Sequence, residues 1–113
     1  MRFMMRDFCA ILRIGQLLIG QGDNPKNEAA ARRLVYGLAD FVSPDQMEAV
    51  VRIAGHLDFA TSAAALTTLG DEELAWAKEL LYSVATVDGA MNADQTHLWD
   101  RLLEICERDM FEL

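Results

Sequence analysis

Residues 74–87 are apolar around nearly the whole circumference of a helix and run straight into Asp88-Gly89. Asn92-Ala93-Asp94-Gln95 then opens a second amphipathic stretch. Leu74, Trp76, Ala77, Leu80, Leu81, Val84, Ala85 and Val87 recur at helical spacing, so several neighbours are expected to pack on this helix and make it the centre of the fold. Glycine reaches the positive φ that a tight corner requires, and an aspartate beside it can bond its own backbone. Asparagine followed three residues later by glutamine resembles a capping box. Two helices meeting at a sharp corner are thus expected over this stretch.

The remaining chain repeats that grammar. Phe8, Ile11, Leu12, Leu18 and Ile19 make the stripe of a first helix over about 3–21, and Gly15 within it predicts close approach by another helix. Gly22-Asp23-Asn24-Pro25 breaks this helix. A second runs over about 26–41, with Leu34, Val35, Leu38 and Phe41 inward and Arg32 and Arg33 outward. Ser43-Pro44-Asp45-Gln46 combines a serine cap, a proline suited to the first helical position and a reciprocal glutamine. The third helix follows it and ends near Gly55-His56. Asp58 caps a short alanine-rich helix reaching Leu69, and Gly70 followed by Asp71, Glu72 and Glu73 opens the fifth, where the helix dipole favours acids. Trp99, Leu102, Leu103, Cys106 and Met110 form the stripe of the sixth. No strand-like alternation occurs, so the expected fold is all-α: one domain over 1–113, a compact bundle of about six helices. Laying Asp88 on Asp23 also matches Val84 with Ile19, Trp99 with Leu34 and Leu103 with Leu38, while Leu98 meets Arg33 and Leu102 meets Gly37. Two pseudo-repeated helix–corner–helix units are one reading of that offset, and chance alignment of amphipathic hairpins is the other.

Length and composition narrow the function. With 52% hydrophobic and 25% charged residues the 113-residue chain carries enough apolar material for a real core. A formal charge of −8 argues against nucleic acid, because counterion displacement from phosphate needs clustered Lys and Arg. It suits basic protein surfaces or cations instead. Asp7, Arg13 and Gln16 interrupt the N-terminal apolar run, which is therefore expected to be a first helix rather than a signal peptide or membrane span, and a cytoplasmic location follows. Cys9 and Cys106 are read as buried thiols in preference to a disulfide between terminal helices.

The run LLYSVATVDGAMNADQTHLWDRLLEIC, residues 80–106, resembles the second conserved block of the tellurite-resistance TerB-like family, in which a hydrophobic helix meets Asp-Gly, a variable residue and an apolar one before an acidic stretch. Asp88, Gly89 and Met91 carry the match, and Leu69-Gly70-Asp71-Glu72-Glu73-Leu74 resembles the family's entry into that helix. The first block corresponds to residues 17–41, where Asn24 occupies a glycine position and Pro25-Lys26 follows. Gln95 stands where the family generally has Glu. The resemblance implies a compact helical domain of bacterial stress-response or envelope-associated systems, with no established catalysis.

The chemistry-bearing residues have competing readings. Asp88, with Asp94 or with Asp23 from the facing unit, is a candidate divalent-cation ligand set, since hard cations prefer clustered oxygens. The alternative is a structural corner built by Asp88 and Gly89. An EF-hand does not fit: with Gly89 at the sixth loop position, Val84 and Thr86 replace early ligands and Gln95 replaces the bidentate Glu. Asp94 and His97 share a helix face, which with Asp88 gives a low-ranked reading as a metal-assisted hydrolase. Phe3, Met4 and Met5, with Met1, form an apolar N-terminal face suited to a partner helix or a second subunit, and terminal disorder is the alternative reading. The leading expectation is a non-enzymatic adaptor or sensor that works through protein contacts or homo-oligomerisation, needing no cofactor beyond an optional divalent cation. A plain dimerisation module with no small-molecule ligand is the alternative.

Overall fold

The computed structural model describes residues 1–20 and 25–111, and the side chains of 25, 26 and 108–111 lie outside that description. Within it the chain forms α1 (Met5–Ile19), α2 (Pro25–Ala39), α3 (Pro44–Ala54), α4 (Phe59–Leu66), α5 (Asp71–Ala85) and α6 (Ala93–Phe111), with no strand among the described residues. Its radius of gyration, 13.3 Å, equals that of a packed domain of this length.

Local sequence explains where these helices begin and stop. Ser43 Oγ accepts the Gln46 N–H at 3.3 Å, and Gln46 Oε1 accepts the Ser43 N–H at 3.1 Å, so the capping box forms with Pro44 at the first helical position. Asp58 caps α4 by accepting the Thr61 N–H at 2.7 Å. This helix stops at Leu66, three residues before the position expected from sequence. The hydroxyls of Thr67 and Thr68 donate to the carbonyls of Ala64 and Ala65, and the main chain tightens into single turns through Leu69. At the start of α1, Asp7 is buried and its Oδ2 accepts the Met4 N–H at 2.6 Å.

The centre of the bundle is α1, not α5. Every other helix packs on α1, whose Phe8, Ile11, Leu12, Ile14 and Leu18 are all buried. Two charged residues disguise it in the sequence. Asp7 is spent on the helix start, and Arg13 Nε reaches across to donate to the Leu57 carbonyl at 2.8 Å. By contrast α5 buries Ala77, Leu80, Leu81, Val84 and Ala85 but exposes Tyr82.

Gly15 does admit a close neighbour. A Cβ built there would fall inside the Leu34 side chain, which nests against α1 from α2. Gly37 repeats the device between α2 and α5, where a Cβ would lie 2.5 Å from Leu80 Cδ1. At one end of the bundle Phe3, Phe8, Phe41 and Trp76 form a ring cluster with centroids 5.1–6.0 Å apart, joining the N-terminal segment to α1, α5 and the turn after α2. Such ring pairs each add about 0.5–1.5 kcal/mol beyond area burial. α6 rests on α4 and α1, with the Arg101 guanidinium 5.0 Å from the Phe59 ring centroid and Trp99 5.6 Å from Tyr82 of α5. Cys9 and Cys106 are both buried thiols.

Candidate interaction surface and the Asp88–Gly89 corner

The corner after α5 is built by backbone and capping bonds. Thr86 ends the helix, its N–H and hydroxyl both bonding the Tyr82 carbonyl, and Gly89 donates its N–H to the Thr86 carbonyl at 3.0 Å. Gly89 holds φ at +119°, a conformation L side chains rarely adopt, with no heavy atom within 4 Å of where a Cβ would stand. Backbone geometry, rather than crowding, therefore requires the glycine. Asp88 is exposed beside it.

Beyond the corner, Asn92 Oδ1 accepts the Gln95 N–H at 2.8 Å and Gln95 Oε1 accepts the Asn92 N–H at 3.0 Å. Gln95 then uses its amide nitrogen to donate to the Leu18 carbonyl at 2.9 Å. That carbonyl lies in the last turn of α1, where the helix itself supplies no donor. One side chain thus caps α6 and fastens it to the end of the central helix. A carboxylate could cap but could not donate, which gives a physical reason for glutamine at this position.

Asp94 sits exposed in the first turn of α6, where the helix dipole favours an acid, and His97 is exposed one turn further on. Asp23 lies outside the described residues, as does any arrangement that includes it. Among the described residues no three His, Cys, Asp or Glu side chains come together as a set able to hold a metal ion. No described helix is long and apolar enough to cross a membrane.

The N-terminal candidates divide. Phe3 is half-buried in the chain's own ring cluster, while Met4 and Met5 are exposed. Met1, Arg2 and Met4 border a hollow of about 500 Å³ whose floor includes Phe3, Phe8 and Phe41.

Two grooves were not evident from the sequence. The first, of about 510 Å³, lies between α2 and α5, where the nesting of Leu80 on Gly37 leaves polar walls. Arg33 Nε donates to Ser83 Oγ at 3.2 Å near one end, while Asp40, Trp76 and Glu79 also border it. The second, of about 590 Å³, lies between α2 and α3 and is lined by Val35, Ala39, Val42, Pro44, Met47, Glu48 and Val51. Both helices pack on α1, and the space between them stays open. Val35 and Val51 are 39% and 45% exposed, so Val35 does not belong to the core where the periodicity of α2 had placed it. The buried stripe of α2 is Ala30, Leu34 and Leu38, and Phe41 after it is likewise partly exposed. The available signal was a second stripe, Ala31, Val35 and Ala39, running beside the buried one at four-residue spacing.

No family model, curated protein or solved structure matches the chain.

Proposed function

We propose that this chain is a non-enzymatic helical interaction module, an adaptor or sensor that works in the cytoplasm by binding another protein in the groove between α2 and α3. The observation that carries this reading is the open apolar lining of that groove. Val35, Ala39, Met47 and Val51 form one continuous surface on two helices that the rest of the described chain leaves uncovered. Apolar concavities of this size, with few polar groups, are characteristic of binding sites. The Asp88-Gly89 block and the acidic balance support kinship with TerB-like domains and a place in a stress response such as tellurite resistance. The exposed position of His97 gives the hydrolase reading no support, and cation binding at Asp88 and Asp94 is secondary to the corner they flank.

A photo-crosslinking residue placed at Val51 in the producing cell tests this reading against the same residue at Thr96, exposed on α6. A discrete adduct with one protein species from position 51 and none from position 96 is expected. Equal adducts at both positions, or none at position 51, would contradict it.

A further inference from the structure

We infer that the occupant of the α2–α3 groove is a cationic amphipathic helix of a partner protein, an assignment that rests on the interaction reading above. Shape gives the first argument. Val35 also lines a second hollow of about 350 Å³ with Glu28, Ala31, Arg32 and Tyr36, so the apolar surface continues along α2 beyond the main groove. From Ala31 to Ala39 this edge is about 12 Å long at helical rise, and Met47 and Val51 supply the facing edge one turn apart. Two helix edges separated by an open trough accept a third helix through anchors at i, i+3 or i+4 and i+7.

Charge decides which helix. Glu28 and Arg32 form an exposed ion pair at 3.7 Å beside the second hollow, and Glu48 is the charged residue in the lining of the main groove. The chain as a whole carries −8. A second copy seated on this groove would bring a second Glu48 into the shared surface and set one net charge of −8 against another. A helix with Lys or Arg flanking its apolar stripe gains where a second copy loses.

The probe is a fluorescent synthetic helix of about four turns with a leucine stripe flanked by lysines, compared with the same helix carrying glutamates in their place. Anisotropy titration of the intact chain is expected to show saturable binding of the lysine helix, at least about tenfold tighter than the glutamate helix and weakening with salt. Val51→Glu, at a position already partly exposed, should reduce that binding at least about tenfold while circular dichroism stays unchanged. Glu48→Lys should narrow or reverse the preference between the two helices. Equal binding of both helices, binding indifferent to Val51→Glu, or no binding to a folded chain would overturn the assignment. Self-association abolished by Val51→Glu would overturn it in favour of a second copy. A surviving crosslink at position 51 would show that only the occupant was wrong; its loss would remove the interaction reading as well.

Discussion

Gln95 and Leu18, 77 positions apart in the chain, are joined by one hydrogen bond of 2.9 Å from a side-chain amide to a main-chain carbonyl. It fixes the start of α6 on the end of α1 and makes the second arm of the Asp88–Gly89 corner part of the core frame. The same side chain accepts from Asn92, so both halves of the amide are in use.

Replacing Gln95 with glutamate separates those halves. The carboxylate would still accept from Asn92, but it would face the Leu18 carbonyl at the negative end of the α1 dipole without a proton to donate. A loss of about 1–3 kcal/mol at neutral pH is expected in urea unfolding. Below the ordinary glutamate range, about pH 4, the protonated side chain can donate again and the deficit relative to the parent should shrink. A deficit that is independent of pH would show that the Leu18 bond is not its source.

Gly15→Ala and Gly37→Ala separate two effects of one substitution. Alanine gains about 1 kcal/mol of helix propensity over glycine, whereas overpacking costs about 1–3 kcal/mol. Leu34 is completely enclosed and cannot swing away, so Gly15→Ala should be destabilising overall. Leu80 borders the open α2–α5 groove and can move, which leaves Gly37→Ala near neutral. Thermal midpoints of the two variants give the comparison, and equal losses would contradict the packing described for Leu34.

At Gly89 the cost should come from the backbone alone. Gly89→Ala meets no neighbour but must hold φ near +119°, a penalty of about 1–3 kcal/mol. Gly89→Asn should recover part of it, since asparagine tolerates positive φ better than alanine does. If alanine and asparagine cost the same, the strained conformation is not what selects glycine here.

Two titrations give stability opposite pH limbs. Burial pushes the Cys9 thiol above its ordinary value of 9.0. Its contribution is full below that value and is lost as pH rises towards the folded one, because the unfolded thiol ionises first. The native thiol should resist alkylation at about pH 8 until the chain is unfolded. The Thr61 N–H holds the Asp58 carboxyl below its ordinary value of 3.8. That contribution is present above 3.8 and disappears as pH falls through the lowered value. Asp58→Asn should keep the cap and flatten this part of the acid limb in urea midpoints followed from about pH 5 to 2. An unchanged acid slope would assign it to other carboxylates.

Local grammar was readable because caps and breakers act within a few residues. Ser43 with Gln46, Asp58, Asn92 with Gln95 and the positive φ of Gly89 all follow from neighbouring positions. Gly15 was readable too, since a glycine inside an apolar stripe has few other uses. The identity of the central helix was not. Asp7 and Arg13 interrupt the α1 pattern, and the burial of Asp7 and partial burial of Arg13 depend on partners at Met4 and at Leu57, which periodicity cannot see. The α2–α3 groove was hidden for a related reason. An apolar stripe does not say whether a neighbouring helix closes over it, and Val35 and Val51 lie on a side that the described residues leave open.

The most direct test of the account is amide and methyl NMR of the folded chain during titration with the lysine-flanked helix. The account predicts saturable shifts concentrated at Val35, Ala39, Met47 and Val51, with little change at Asp88, Gly89 and Asp94. Shifts centred on the Asp88–Gly89 corner, or none at the groove, would contradict it.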